Sequence, residues 1–383
     1  MVLDANQRSA LAAVRSLGRR GIDVIAADET RRTLAGASRY CRARWTYPSP
    51  AKDEAAFISA LQEKVASGID LLLPMTDLTT PLLLAHRAAL SPARLPFVPL
   101  ETYDRVSDKW QLYQLARALD LPVPETHYAQ TADEAVALGR TLPFPLVIKP
   151  YRSRIASAEG GVASAPVRYV FSEDDLANAV RDSVVFRDHP LLIQQYISGE
   201  GQGVFALYNE GTPVAFFAHR RLREKPPTGG VSVLSESVAV APRLRKIAET
   251  LLSAVHWHGV AMVEFKVTAD GTPYLIEVNA RFWGSLQLAV DAGVDFPWML
   301  YRLAAGESVP PVDTYRIGIR NRWLLGDLDN LYLQWKSRRF PSGTFRRAIA
   351  AFLSGGARYE VNRWDDLAPF LFELKSYFSG GPQ

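Results

Sequence analysis

Residues 274–287 read "YLIEVNARFWGSLQ". Glu277, Asn279 and Arg281 alternate with Ile276, Val278 and Ala280. Alternate side chains of a strand point to opposite faces. One face is therefore apolar, and the other carries an acid, an amide and a cation. Upstream runs "VAMVEFKVTADGTP" (260–273), in which Asp270-Gly271 is a strong two-residue hairpin signal. Such a loop sets Ala269 opposite Thr272. The pairing then brings Glu264 opposite Glu277 and Met262 opposite Asn279. Opposed Cβ atoms sit about 4.5–5.5 Å apart, where like charges destabilise. Unpaired charge among apolar neighbours is also costly. A cation between the carboxylates resolves the conflict. Two carboxylates and an amide are all-oxygen ligands and suit Mg²⁺ or Mn²⁺ rather than zinc. The same pattern also fits solvated charges, with Glu264 and Glu277 paired to Lys266 and Arg281.

The chain around this hairpin alternates elements. "MVLDA", "IDVIAADE" and "IDLLLPM" read as strands; helices over 6–21 and about 52–67 separate them. That order predicts a parallel, doubly wound sheet with ligands beyond the strand ends, near "AADET" (26–30) and "MTDLTT" (75–80). Further on, "SDKWQLYQLARALD" predicts a helix capped by Ser107. "FPLVIKP" is a strand ending near Lys149, followed by a loop over 152–164. "LLIQQYISGE" is a strand, and "GVFALYNEGTPVAFFAHRRLR" is a hairpin turning at Asn209-Glu210-Gly211. By alternation Arg221 and Arg223 share a face, a candidate anion-binding pair. From about 311 the chain reads as helical and aromatic-rich, with basic clusters at 336–339 and 345–347.

"MVEFK…YLIEVNARFWGS" resembles the metal-binding hairpin of the ATP-grasp superfamily. Other family landmarks follow in order over roughly residues 1–305. The texture of "NARFWGSLQLAVDAGVDFP" is closest to the carbamoyl-phosphate-synthase-like and carboligase branches. The resemblance implies an α/β (α+β) fold: a Rossmann-like βα domain over 1–100, then a two-lobed ATP-grasp domain over 101–310 with ATP between the lobes. Its small mobile lobe would span about 122–198, and 311–383 would be a helical extension. Lys109 and Lys149 would be the nucleotide lysines. Gln194, Gln195, Tyr196 and Ile197 would form the adenine hinge, and Glu200 would bind ribose. Gly160 and Gly161 would close over the phosphates. Glu264, Glu277 and Asn279 would hold Mg²⁺ or Mn²⁺, and Arg281, with Lys149, would serve catalysis. Arg221, Arg223 and Arg281 would bind substrate. Many relatives carry Glu where this chain has Gln194, and the spacing to Glu200 is shorter than in the D-alanine ligase branch.

The activity implied is an ATP- and Mg²⁺-dependent ligase joining a carboxylate to an amine through an acyl phosphate. A carboxylase- or kinase-like enzyme and a non-catalytic ATP-binding scaffold are the alternatives. The composition, 48% hydrophobic and 22% charged, is that of a globular protein. A net charge of +4 gives no footprint for nucleic acid. The single cysteine, Cys41, forms no internal disulfide and suits a cytoplasmic setting. Neither a signal peptide nor a membrane-spanning run is legible. Small-molecule acids and amines are the expected partners. Peripheral membrane contact through the basic C-terminal region and a homodimer are left open.

Overall fold

The computed structural model describes residues 1–152, 155–156, 162–163, 165–227, 230–336, 349–350, 352 and 355–379. The N-terminal layer is parallel throughout. β1 (Ile25–Asp28) pairs with β2 (Ala43–Thr46), and single bridges join Val2 to Ala26 and Leu73, and Leu71 to Arg94. The expected strands at 1–5 and 69–75 pair only through these bridges. The helix Arg8–Gly18 packs against this layer because Leu11, Val14 and Leu17 recur at helical spacing and are buried.

The segment after residue 100 corrects one sequence expectation. A helix, Leu100–Ser107, already claims Ser107. The next helix, Lys109–Ala118, is capped by Asp108, whose carboxylate accepts from the Trp110 and Gln111 backbone N–H groups. This cap sets Lys109 at the first position of the helix.

A four-stranded antiparallel sheet follows, in the order β3-β8-β4-β7. Its strands are β3 (Thr126–Ala129), β4 (Leu146–Pro150), β7 (Arg168–Val170) and β8 (Leu191–Gln195). A two-stranded ribbon, β5 (Ile155–Ala156) and β6 (Val162–Ala163), lies between β4 and β7 in the chain. Leu146, Ile148, Val170, Leu176, Phe186 and Ile193 form a separate core beneath this sheet.

The larger sheet has seven strands in the order β13-β12-β9-β10-β11-β14-β15. They are β9 (Glu200–Asn209), β10 (Thr212–Lys225), β11 (Val231–Val238), β12 (Gly259–Val267), β13 (Pro273–Asn279), β14 (Arg320–Arg322) and β15 (Arg358–Tyr359). Asn209 faces Thr212, so the β9–β10 turn is Glu210-Gly211, both at positive φ. That backbone twist suits a two-residue hairpin. One continuous core joins this sheet to the N-terminal layer, running from Val2 through Leu112 to Phe205, Trp257 and Phe296.

Among the described residues, the C-terminal region contributes strands as well as helices. β14 and β15 add a short parallel pair to the sheet edge. Residues 358–366 return to the N-terminal helix, where Arg15 is almost completely buried. Its Nε donates to Asp366 at 2.8 Å, and its Nη atoms donate to the carbonyls of Glu360, Val361 and Asp366. Removing one partner of a buried ion pair leaves the other charge uncompensated, at about 3–5 kcal/mol. Asp366→Ala should lose stability of that order in a urea titration. A loss within error would mean that the backbone carbonyls alone satisfy Arg15. The basic clusters between 337 and 348 lie outside the described residues. No helix among the described residues is long and apolar enough to cross a membrane.

Candidate active site

The hairpin β12–β13 reaches the expected pairing by an unexpected route. Thr268 N–H donates to the Thr272 carbonyl, and Val267 faces Pro273, so the loop holds three residues, Ala269 to Gly271, with Gly271 at φ +82°. That shifts the register by one. A β-bulge at Ile276 shifts it back, so Glu264 does face Glu277 and Met262 faces Asn279. The bulge also turns the Ile276 carbonyl toward Tyr113, whose hydroxyl donates to it at 2.5 Å. The same hydroxyl accepts from Lys149 Nζ at 2.8 Å. Lys149 further donates to Gln194 Oε1 at 2.9 Å, and Gln194 Nε2 donates to Thr126 Oγ1 at 2.7 Å. The bulge is thus tied to the first lobe's lysine through one tyrosine.

A cleft of about 600 Å³ lies between the two sheets. Lys109, Lys149, Gln194, Gln195, Tyr196, Ile197, Arg221, Glu264, Glu277, Asn279 and Arg281 all line it. Every acid in it is already paired. Glu277 meets Lys109 at 3.3 Å, and Glu264 contacts Arg221, which also bridges to Glu224 at 3.0 Å. Arg281 grips Asp77 with two bonds of 2.8 and 2.7 Å and donates to Asn279 Oδ1 at 3.0 Å. Lys266 donates instead to the Gly199 carbonyl, so the solvated pairing with Lys266 is not what forms.

These contacts set the charges. Burial opposes ionisation of Glu277, but Lys109 and Lys149 more than offset it and hold its carboxyl below the usual range. Burial dominates at Glu264 and, with Glu277 opposite, raises its pKa despite Arg221. Burial works against Lys109 too, yet Glu277 keeps its ammonium charged. At Lys149 the same Glu277 offsets only part of the effect. Burial, with Lys109 nearby, pulls it down to about 7.

Two expected residues fall elsewhere. Arg223 does not share the cleft face with Arg221, because β10 is irregular on both sides of Arg223 and the alternation breaks. Its guanidinium meets Asp327 at 2.7 Å, on the helix Leu324–Lys336. Glu200 is exposed and does not line the cleft. A Cβ on Gly201 would meet Arg221, and one on Gly203 would meet His219, so the odd positions of β9 face inward and Glu200 faces away. Gly160 and Gly161 lie outside the described residues.

Two residues were missed. Asp77, in the "MTDLTT" turn, reaches Arg281 across 204 positions. Arg8 lines the cleft from the N-terminal helix. Strand-end polar residues are the only sequence signal for Asp77, and Arg8 carries none.

Glu264, Glu277 and Asn279 present oxygen donors from neighbouring cross-strand positions, with no histidine or thiol among them. That donor set fits Mg²⁺ or Mn²⁺.

A family described as ATP-grasp in the biosynthetic pathway with Ter operon matches residues 187–325, the span holding the hairpin. The carbamoyl phosphate synthase large chain of Xylella fastidiosa is 31% identical over 216 residues, 53% of this chain and 19% of that one. ATP-grasp is thus the family that residues 187–325 of this chain match. Among solved structures, L-amino acid ligase from Bacillus licheniformis superposes with a TM-score of 0.63 at 21% identity, covering 81% of this chain and 77% of that one. Biotin carboxylase from Campylobacter jejuni superposes with a TM-score of 0.65 at 17% identity, covering 83% and 73%. At these identities the likeness concerns the ATP-grasp fold. The chain spans about a fifth of the length of its curated relatives.

Proposed function

We propose that the chain is an ATP-dependent ligase that activates a carboxylate and passes its acyl group to an amine or a similar nucleophile. The observation that carries this reading is the meeting of Lys109 and Lys149 with Glu264, Glu277 and Asn279 in one cleft. The hinge residues Gln194 to Ile197 supply a wall for adenine. Glu264, Glu277 and Asn279 would hold Mg²⁺, which supplies charge neutralisation to the phosphates.

Each acid of the cleft is paired with a cation before any ligand enters. Nucleotide binding on this reading is an exchange of partners. Lys109 leaves Glu277 for a phosphate oxygen, and Lys149 turns from Gln194. Arg281, fixed by Asp77, stays in place and stabilises charge on the transferred group. Positioned cations are the main catalytic device in phosphoryl transfer. The substrate carboxylate attacks the γ-phosphorus, ADP leaves, and the resulting acyl phosphate is displaced by the nucleophile with release of phosphate.

The names of similar proteins support the class of reaction, since an amino acid ligase and carbamoyl phosphate synthase are among them. The N-terminal βα layer is assigned to the acid side of the cleft because Asp77 and Arg8 come from it. The test is ADP release from MgATP with hydroxylamine present, across a panel of small carboxylic acids. Hydroxamate and ADP together with one acid are expected. ADP without hydroxamate would favour a kinase-like reaction instead.

A further inference from the structure

The end of the cleft beyond Asn279 and Arg281 holds polar groups that the nucleotide reading does not use. Arg8, the first residue of the helix Arg8–Gly18, lines it. Its Nη1 donates to Glu360, which is 3% exposed, and its guanidinium lies over the Trp323 ring at 4.1 Å. Both partners come from the region after residue 311. Its Nη2 lies against the backbone of Gly284, where an added Cβ would come within 3.2 Å of it. A guanidinium has five N–H donors in a planar fork. Held by a carboxylate on one edge and an indole beneath, this one is fixed, and among the described residues its Nη2 and Nε donors have no hydrogen-bond partner.

The wall continues from Gly284 to Ser285, whose Oγ is 3.3 Å from His219 Nδ1. His219 is 1% exposed and lines the same cleft, yet its Nε2 has no partner among the described residues. Its imidazole is neutral, since burial and Arg221 hold its pKa well below the ordinary histidine value. Trp283, also on this wall, has an indole N–H without a partner among the described residues. Buried donors and acceptors left unmade are costly. Such groups clustered beside a fixed arginine mark a place built for a polar ligand.

We infer that this end binds the acid substrate, and that the acid is short and carries two anionic groups: the carboxylate that reacts, near Arg281, and a carboxylate or phosphate read by Arg8. This rests on the ligase reading. A planar guanidinium fork matches either oxyanion. Glu360 is occupied by Arg8, Glu373 accepts from the Trp323 indole N–H, and Glu264 and Glu277 are held by Arg221 and Lys109, so each of these acids already has a partner. The length follows from the wall itself. Arg281 and Gly284 are three positions apart, and a chain covers at most ~3.6 Å per residue, so their Cα atoms lie within about 11 Å. His219 and Trp283 are left to hydrogen-bond oxygens of the acid.

Calorimetry with MgADP present would compare succinate, glutarate and O-phosphoserine with butyrate, valerate and serine. The doubly charged acids should bind at least about tenfold more tightly than their singly charged counterparts. Glutarate ahead of O-phosphoserine identifies a carboxylate at Arg8, and the reverse order a phosphate. Arg8→Gln alone would strand the buried Glu360, so the Arg8→Gln/Glu360→Gln double variant is the probe, with its melting temperature recorded. It should lose the preference, whereas Glu360→Gln alone should keep or increase it. A preference surviving in the double variant, equal binding of the two classes, or no binding of any doubly charged acid would overturn the inference. MgADP affinity, measured first on every protein, reports on the nucleotide reading alone, so the two can fail separately.

Discussion

Replacing Glu277 with Gln should lower ADP formation by about 10³-fold or more, the scale seen when a charge that organises phosphoryl transfer is removed. Of the two facing carboxylates, Glu277 is the one whose pKa is held below the usual range, by Lys109 and Lys149 against its burial. It is also the counter-ion of Lys109 at 3.3 Å. Gln keeps the shape and one carbonyl oxygen but carries no charge. Mg²⁺ loses a ligand charge, and Lys109 and Lys149 face each other without the acid that balances them. The fold should survive, because the β12–β13 register depends on backbone pairing, the Ile276 bulge and Tyr113 rather than on this carboxylate. The measurement is coupled ADP release with the active acid, beside a thermal melt. Wild-type turnover in a well-folded Glu277→Gln protein would remove the hairpin from the chemistry.

How far this site was legible depends on the range over which each contact acts. The facing of Glu264 and Glu277 follows from alternation and from the Asp-Gly turn, both local signals. The route to it was not legible. The sequence does not distinguish a two-residue loop from a three-residue loop compensated by a bulge, and beyond Ile276 the two give the same pairing. At Arg223 the same kind of irregularity worked against alternation, and a residue expected in the cleft is instead held by Asp327. Ser107 and Asp108 are both good capping residues. A preceding helix decides between them, and that helix is set by the packing of Tyr103 and Val106. Arg8 and Asp77 belong to another class. Their partners lie hundreds of positions away, and only the folded chain shows that a C-terminal strap supplies the bed on which Arg8 rests. The short strands Arg320–Arg322 and Arg358–Tyr359 hold too few residues to display a period of two.

Lys149 should make nucleotide affinity depend on pH, and Lys149→Met should abolish that dependence. Burial, reinforced by Lys109, lowers this lysine to about 7 in the free protein. A bound polyphosphate adds negative charge beside it and raises that value. Below pH 7 the lysine is charged before and after binding, so affinity is flat. Above pH 7 binding must first take up a proton. MgADP affinity should then fall by up to about tenfold for each pH unit until the bound-state value is reached. Calorimetry in buffers of different ionisation enthalpy should show uptake of nearly one proton at pH 8.5. The methionine variant should bind weakly at every pH and take up none. Stability has its own sign. The folded-state value lies below the unfolded value of 10.5, so the unfolded chain holds more protons between about pH 7 and 10.5. The buried ammonium therefore costs stability in full below pH 7, and the cost fades as pH rises through that window. Any gain in melting temperature from Lys149→Met should be larger at pH 6 than at pH 9. Wild-type MgADP affinity that stays level from pH 6.5 to 8.5 would show that Lys149 is charged in the free protein, and that its bonds to Tyr113 and Gln194 stabilise an ammonium rather than an amine.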